Sequence, residues 1–443
     1  MKDISVSVRF LVEQALLSGD LAAGGGESLS PLEGLRAHQK IQRSRPGDYQ
    51  SEVPVSGSFE KADYLLHIKG RLDGLFRDGN HRVVEEIKST RKDLKFFKER
   101  ENPIHWGQAK IYSFLIADAE GLKSLDTQLT YYNVDTRKIL EIRRAFPLNE
   151  LYEFFHRTLE NWVRWQSAQD EWIELRNRSL AGLQFPFPEY RPGQREMAVA
   201  VYRSIRDRKE LLVQAPTGIG KTAAAVFPTL KAQREGLAGK AFYLTARTTG
   251  KAIAENVLNI LRGKGARIRS VTLTAKEKIC FNPGTACDAE ECRFARGYYD
   301  RLAEARWELV RLQDYDRPAI EAAAEKYALC PFELSLDLSN WSDFVISDYN
   351  YAFDPRVYLR RHFSEGPAED IFIIDEAHNL VDRSRDMYSA TLEKGTVLKW
   401  RRRILKSAPG PAKHLMKINS WFLKKGKELE DGETAEKDPP LEL

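Results

Sequence analysis

Hydrophobic and polar residues are arranged differently in the first 180 residues and in the rest of the chain. Residues 64–90 form two β-rich runs joined by Arg-Asp-Gly-Asn, which predicts a hairpin with its turn at Asp78–Gly79. The patterns that follow predict a helix over 103–119, a strand–turn–strand pair over 129–146 and a long helix over roughly 148–180.

Prolines and glycines between 182 and 193 end the long helical pattern, so we expect a domain boundary near 180–190. Beyond it, short apolar runs alternate with helical patterns, which predicts a mostly parallel sheet with helices on both faces. The predicted strands lie in ELLVQAP, KAFYLTA, RSVTLTA, DFVISDYNYAF and DIFIIDEAH. A segment starting at Cys280 interrupts the alternation and reads as an insertion. After Asp382 the chain turns basic and helical, and residues 431–443 read as unstructured.

Composition narrows the class of protein but not its function. The 443 residues are 42% hydrophobic and 30% charged, and they include no apolar run long enough to span a bilayer and no convincing signal peptide, so we expect a cytoplasmic protein. The net charge of +5 is compatible with a polyanionic partner. All four cysteines lie between Cys280 and Cys330, which favours a metal or cluster site over disulfides in such a chain.

Residues 213–226, VQAPTGIGKTAAAV, follow an apolar run and open a helical pattern. Backbone N–H groups of such a loop can surround phosphates, Lys221 would reach the β/γ-phosphates of ATP, and Thr222 would ligate Mg²⁺. Ala215 replaces the first glycine of the strict pattern, and a glycine-containing turn of another α/β protein is the alternative. The predicted loop residues are Pro216, Thr217, Gly218, Gly220, Lys221 and Thr222.

The apolar run at 371–374 delivers Asp375 and Glu376 at its carboxyl end, where open α/β sheets bind ligands. Asp375 would hold Mg²⁺, Glu376 would orient and deprotonate the attacking water, and His378 would link the nucleotide site to nucleic-acid contacts. The alternative is a structural cap on the strand.

Together these motifs resemble the superfamily 2 helicases in their DEAH-box form. By that resemblance Gln194 is a candidate adenine reader with Arg191 beside it, in YRPGQREM. The segments at 243–250 and 273–281 look like loops that contact the DNA backbone, which positions a strand without reading its sequence.

The cysteines are spaced too widely for a zinc ribbon, because no Cys-x-x-Cys pair is present. Four thiolates can close around a [4Fe–4S] cluster, while a zinc site and unligated cysteines stay as alternatives. With the sequence that follows, the insertion resembles that of the XPD/DinG-type iron–sulfur helicases, which implies 5′→3′ movement on single-stranded DNA. The predicted ligands are Cys280, Cys287, Cys292 and Cys330.

The resemblance covers residues 185 to about 385 and lacks the second motor domain that this family uses to complete its nucleotide site. We therefore expect the chain to be the N-terminal part of a longer protein, with weak ATP hydrolysis by itself. The last 60 residues look like the start of the family's helical arch insertion.

The front hairpin carries a separate set of candidate residues. Counting back from the turn places Asp73 across from Glu85 or Glu86, and strand alternation puts Glu86 and Lys88 on one face. Two carboxylates there would bind Mg²⁺ or Mn²⁺, and Lys88 would position or activate a water against a phosphodiester. An ordinary solvated hairpin is the alternative.

Two spaced pairs extend this set. Gly34 and His38 lie four residues apart, as do Gln108 and Tyr112. With Asp73, Glu86 and Lys88 they resemble the RecB-type nuclease modules of the restriction-endonuclease-like class. The resemblance implies that His38 is a further metal ligand and that Gln108 and Tyr112 support the site.

The sequence thus predicts an α/β chain: a RecB-like nuclease module at 1–180, a RecA-like ATP-binding domain at 185–385 with an iron–sulfur insertion at 276–335, and an arch-like segment with a disordered tail at 386–443. The predicted function is an ATP-dependent DNA helicase coupled to a metal-dependent nuclease, acting on single-stranded, forked or tailed DNA in repair or processing. A DNA-binding protein whose front module grips without cutting is the main rival, and an RNA helicase is another.

Overall fold

The structure is a computed structural model that describes residues 1–21, 29–45, 47–363, 369–429 and 432. The tail predicted to be unstructured lies, apart from Gly432, outside the described residues. The chain divides into two compact units, one formed by 1–348 and 360–375 and the other by 349–359 and 376–443. The first unit contains both predicted sheets, so the boundary expected near 180–190 does not separate compact units.

The front sheet has six strands in the order β1-β3-β4-β5-β6, with β2 paired to β3. β3 pairs in parallel with β1 and antiparallel with β2 and β4, while β5 pairs in parallel with β4 and antiparallel with β6. The predicted hairpin turn is present, with Gly79 at a φ of 59°. The strands are β1 Lys2–Ser7, β2 Gln50–Lys61, β3 Tyr64–Asp78, β4 His81–Thr90, β5 Ser124–Asn133 and β6 Ile139–Pro147.

Helices cover this sheet and share one apolar core with it. The predicted helix from Pro103 begins there, because Pro is compatible with a first helical turn and Asn102 caps the free N–H groups of Ile104 and His105. Its buried residues include Phe114 and Leu115. The helices are α1 Val8–Ala15, α2 Pro31–Gln42, α3 Leu94–Glu99, α4 Pro103–Glu120 and α5 Leu148–Leu180.

The rear sheet of the first unit has five parallel strands in the order β11-β7-β10-β8-β9. They are β7 Ala241–Leu244, β8 Ser270–Thr272, β9 Asp314–Tyr315, β10 Phe344–Ser347 and β11 Ile371–Ile374. The helices are α6 Gln194–Arg206, α7 Lys221–Arg234, α8 Thr248–Gly263, α9 Lys276–Ile279, α10 Tyr298–Leu309, α11 Arg317–Tyr327, α12 Pro331–Trp341 and α14 Arg360–Phe363. The predicted parallel sheet is confirmed.

One predicted strand is wrong. ELLVQAP forms no strand, and Leu212 there is 92% exposed. A short apolar run shows β propensity, but only a partner for its N–H and C=O groups makes it a strand. The cysteine insertion also differs from expectation, because it supplies β9, which pairs with β8 at the sheet edge.

The long helix α5 joins the two sheets. Its first half, including Phe155 and Trp162, packs into the front core, and its last residue, Leu180, belongs to the core of the rear sheet. Between them the Arg176 guanidinium donates to Asp343 Oδ1 at 2.8 Å, and Trp172 Nε1 donates to Asp343 Oδ2 at 3.0 Å. These contacts are buried, so the front module is fastened to the rear sheet through side chains as well as through the chain.

The second unit is small and helical. Its helices are α13 Asn350–Phe353, α15 Asn379–Met387, α16 Lys394–Ile404 and α17 Pro409–Glu428. α16 and α17 pack as a pair whose buried residues include Val397 and Ala412. The predicted basic, helical character after Asp382 is confirmed.

Candidate active sites

The hairpin of β3 and β4 brings the front candidates together. Gly74 pairs with Glu85, so the next pair outward from the turn places Asp73 opposite Glu86. Asp73 Oδ2 accepts a 2.6 Å hydrogen bond from the amide N–H of Ile87, which fixes the carboxylate against β4. Lys88 Nζ donates to Glu86 Oε1 at 2.8 Å. Asp73, Glu86 and Lys88 therefore occupy one face of the hairpin.

Helix α2 adds His38 to this face. The Ser30 side chain and Glu33 form a capping box at the start of α2, which sets where the helix begins. About two turns into the helix, His38 Nδ1 lies 3.2 Å from Asp73 Oδ1. Burial acts to lower the pKa of His38, but the hydrogen bond and charge of Asp73 outweigh it and raise that pKa.

Helix α4 closes the cluster from the other side. Gln108 Oε1 accepts a 2.7 Å hydrogen bond from Lys88 Nζ. The Tyr112 ring lies against Gly70, where a Cβ would meet ring carbon Cε1 at 2.5 Å, so a side chain at position 70 would displace Tyr112. His105, one turn before Gln108, is half-buried, and burial together with the charge of Lys88 lowers its pKa to about 3. The helix face thus presents neutral groups to Lys88.

Glu86 is the most perturbed acid of the cluster. Its side chain is 5% exposed. Burial raises the pKa of Glu86 to about 7 against the opposing pull of Lys88, and the nearby carboxylate of Asp73 raises it further. Burial therefore disfavours the ionised form of Glu86, and a cation bound nearby would stabilise that form.

Glu85 lies on the opposite face of β4 and is fully buried. Its carboxylate accepts hydrogen bonds from Arg45, Thr130, Gln128 Nε2 at 3.0 Å and Tyr49 Oη at 2.9 Å. This network surrounds the carboxylate with donors, and Glu85 faces away from Glu86 and Lys88, as strand alternation predicts.

Sequence reasoning missed two residues that hold Asp73 from behind. Tyr49 Oη lies 3.3 Å from the main-chain oxygen of Asp73, and Gln42 Nε2 donates to the same oxygen at 3.0 Å. Tyr49 leaves no room at the neighbouring position, because a Cβ on Gly74 would lie 1.8 Å from Tyr49 Oη. A tyrosine in a loop carries no periodic signal, so the sequence pattern could not have singled it out.

The phosphate-loop motif precedes α7, which begins at Lys221. Gly218 and Gly220 have φ values of 83° and 85°, a region that favours glycine. Lys221 Nζ donates to Ala215 O at 3.4 Å across the loop. Pro216 and Thr217 are exposed. The loop is therefore shaped by main chain and lies open to solvent.

Gln194, the predicted adenine reader, contacts the phosphate loop in this structure. It is 2% exposed, and both ends of its amide are used: Nε2 donates to Gly220 O at 3.1 Å, and Oε1 accepts from the Arg191 amide N–H at 3.0 Å. The Arg191 guanidinium also donates to Gly218 O. The pair therefore braces the phosphate loop itself.

The carboxyl end of β7 brings Thr222 and Asp375 to the same edge of the rear sheet. Thr222 Oγ1 lies 3.2 Å from Tyr243 Oη, and the Asp375 amide donates to Leu244 O at 2.9 Å. The loops at 243–250 and 273–281 follow the same ends of β7 and β8, and Lys251 Nζ donates to Leu273 O at 2.8 Å.

Glu376 and His378 fall in the second unit. Glu376 has a φ of 52°, unusual for a residue with a side chain, and its main-chain oxygen accepts from Tyr349 Oη at 3.1 Å. His378 Nδ1 lies 3.4 Å from Glu376 Oε2. Strained backbone at a carboxylate is a feature of functional sites.

Lys276 interacts with three of the four cysteines. A hydrogen bond to Cys287 and the charges of Cys287, Cys280 and Cys330 raise the pKa of Lys276. Cys292 is buried, and Cys330 precedes α12, whose amides at Phe332 and Glu333 approach its sulfur. Burial nevertheless raises the pKa of Cys330 to about 11.

Within the described ranges, no three His, Cys, Asp or Glu side chains are gathered closely enough to hold a metal ion as they stand. Over the same ranges, no helix combines the length and apolar character needed to cross a membrane.

Comparison with known proteins identifies the rear part of the chain. Residues 191–279 match the model of the DEAD/DEAH box helicase family, and residues 247–397 match that of DEAD_2. Residues 191–397, the helicase-type segment, are therefore similar to the XPD and DEAD/DEAH-box helicases. Both ranges of this helicase-type segment begin after the front sheet ends.

Individual relatives are distant. The XPD subunit of general transcription and DNA repair factor IIH from Dictyostelium discoideum is 23% identical over 232 residues, 44% of this chain and 29% of that protein. The regulator of telomere elongation helicase 1 homolog of Drosophila erecta is 23% identical over 272 residues, 49% of this chain and 27% of that protein. A solved XPD helicase structure covers 57% of this chain and 44% of its own, at 18% identity and a TM-score of 0.38. The chain spans less than a third of these two curated relatives.

Proposed function

We propose that the chain couples a metal-dependent DNA nuclease in its front module to an ATP-driven helicase motor. The observation that carries the nuclease part is the convergence of His38, Asp73, Glu86, Lys88 and Gln108 from two strands and two helices. The helicase-type segment carries the motor part. Single-stranded, forked or tailed DNA is the proposed substrate.

The front residues have distinct roles in this proposal. His38, Asp73 and Glu86 supply an imidazole and two carboxylates, a donor set that Mg²⁺ or Mn²⁺ accepts. A cation bound beside the buried Glu86 carboxylate would stabilise its ionised form. Such a cation would polarise a water and offset charge on the scissile phosphate.

Lys88 would act on the phosphodiester and its attacking water. In the structure its ammonium group is held at 2.8 Å by Glu86 and at 2.7 Å by Gln108, and its side chain keeps 23% exposure. It is therefore anchored while still open to a ligand. Gln108 fixes the lysine, and Tyr112 packs against β3 at Gly70.

In the motor, Lys221 would bind the β/γ-phosphates of ATP, Thr222 and Asp375 would hold Mg²⁺, and Glu376 would orient the attacking water with His378 beside it. The common edge shared by Thr222 and Asp375 supports this assignment. Arg191 and Gln194 brace the loop. We propose 5′→3′ movement on single-stranded DNA for this motor.

We further propose that Cys280, Cys287, Cys292 and Cys330 hold a [4Fe–4S] cluster. Cysteine thiolates are the ligands that iron–sulfur clusters use, and Lys276 interacts with three of these four cysteines. The donor chemistry fits the group. A zinc-loaded, colourless anaerobic preparation would contradict this proposal.

The nuclease is tested with Lys88→Ala and labelled single-stranded DNA in Mn²⁺. We expect cleavage to fall at least about 100-fold, because general acid–base and positioning groups contribute on that order. Lys123→Ala, an exposed lysine of the same module, is the matched control and should cleave normally. Lys221→Ala should keep cleavage and lose ATP binding.

Unchanged cleavage by Lys88→Ala would show that the nuclease site is wrong. If the unaltered protein binds DNA through the front module and does not cut it, the rival function of gripping DNA is correct. ATP hydrolysis stimulated by RNA more than by DNA would favour an RNA helicase.

A further inference from the structure

The helix pair α16–α17 concentrates the positive charge of the whole chain. Residues 394–427 contain eleven Lys and Arg residues and no Asp or Glu. Subtracting these from the net charge of +5 leaves −6 on the other residues. Glu393 and Glu428 border this run but no acid lies within it, so its basic side chains create a local positive field rather than a mixed, salt-bridged surface. The pair lies mostly beyond the family-model match, which ends at residue 397.

The charges are ordered on the helices. Lys413, Lys417 and Lys427 are exposed, and their spacing of four and ten residues puts them within about 80° of one another around α17. They span about 21 Å along the helix at 1.5 Å per residue. The exposed Lys399, Arg402, Arg403 and Lys406 share one side of α16 and its C-terminal end in the same way.

An aromatic ring accompanies this basic surface. Trp400 is 50% exposed and lies between Lys399 and the Arg401–Arg403 run on α16. Exposed aromatic rings beside a row of cations are the arrangement that binds single strands, since bases stack on the ring while cations contact phosphates. Neither feature is used by the nuclease or by the nucleotide loop.

We infer that the α16–α17 surface binds the phosphate backbone of single-stranded DNA, with Trp400 stacking on a base. This inference goes beyond the proposed function by adding a second DNA contact. It rests on the proposed function only in naming DNA as the polyanion that binds. The charges follow helix faces over a length of several nucleotides, which favours a long polyanion. An anionic membrane is the competing partner for a basic helix.

The test measures binding of fluorescent oligo(dT) to the intact chain across a salt series. In the triple variant Lys413→Gln, Lys417→Gln, Lys427→Gln, the slope of log affinity against log salt should fall by about 2, because each single-strand phosphate contact contributes about 0.7. The control neutralises three exposed lysines of the first unit, Lys95, Lys98 and Lys123, and should keep the slope. Trp400→Ala should weaken binding about 5- to 100-fold and leave the slope unchanged.

A salt slope that is equal in the native and triple-variant proteins overturns the inference. So does tighter binding of the native chain to phosphatidylserine vesicles than to oligo(dT), which would assign the surface to membranes. The result is separable from the proposed nuclease, because the Lys88→Ala experiment reads cleavage, whereas this one reads the salt dependence of binding.

Discussion

Glu85 and Glu86 are neighbours in sequence and opposites in environment. Glu85 faces four donors on one side of β4, including the guanidinium of Arg45. Glu86 faces one lysine and a second carboxylate on the other side. Both are nearly inaccessible to solvent.

The difference separates a carboxylate with a structural role from the carboxylate that we propose binds a metal ion. A buried charge whose hydrogen-bonding capacity is filled by the protein stabilises one conformation and has little capacity left to bind a ligand. A buried charge with too few partners keeps a free energy of interaction that a ligand can still satisfy. On this strand the two kinds of carboxylate are one residue apart.

The largest expected effect is on the structural side. Glu85→Ala removes the buried partner of the Arg45 guanidinium, whose side chain is 14% exposed, and leaves it paired with the exposed Glu141. Breaking a buried pair in this way costs about 3–5 kcal/mol, so the free energy of unfolding should fall by that order. Chemical denaturation of the metal-free protein measures it, and a loss below about 1 kcal/mol would show that Glu85 is not a structural charge.

Glu86→Gln should raise the free energy of unfolding, whereas Glu85→Ala should lower it. Folded Glu86 has its pKa raised from 4.5 to about 7, so it stabilises the fold fully below pH 4.5 and loses that contribution as the pH rises through 7. Gln does not titrate, so at pH 8 the metal-free variant should be more stable than the native protein by up to about 3 kcal/mol.

The check on Glu86→Gln is the same denaturation experiment repeated at pH 5, where the difference should shrink. Mn²⁺ should stabilise the native protein and not the variant, and cleavage should be lost. If Glu86→Gln is less stable than the native protein at pH 8, Glu86 has a structural role like that of Glu85.

Tyr49→Phe gives the smallest effect and tests whether the two sides are linked. The hydroxyl bonds Glu85 and lies near the main chain that carries Asp73, so its removal should cost about 1 kcal/mol of stability. If the Glu85 side of β4 supports the Asp73 side, Tyr49→Phe should also lower the affinity for Mn²⁺. Tyr152→Phe, an exposed tyrosine on α5, is the matched control and should change neither quantity.

Much of the front site was predictable because local rules determine it. The Asp-Gly turn set the hairpin register, and strand alternation then put Glu86 with Lys88 and turned Glu85 away. The contact of His38 with Asp73 could be expected only from the resemblance, since α2 and β3 meet through tertiary packing. Tyr49 and Gln42 were missed for the same reason.

The rear site shows the limits of pattern more clearly. The parallel strands followed from alternating apolar runs, yet ELLVQAP carries the same signal and pairs with nothing in the described sheet. Gln194 fits a motif position, but which group its amide binds depends on how Gly220 approaches it. Local sequence sets the propensity of a segment for a strand or a contact, and the tertiary partner it meets decides whether that strand or contact forms.

The helix α5 has a consequence for how cutting and movement relate. At 33 residues it is about 50 Å long, and it enters the front core at one end and the rear core at the other. A flexible linker would let the front site reach DNA at many distances from the motor, whereas a continuous helix pinned at Asp343 holds one separation. If the proposed nuclease and motor engage one strand, that strand is therefore measured against a fixed length, and we expect the fragments to have a set size rather than a broad distribution.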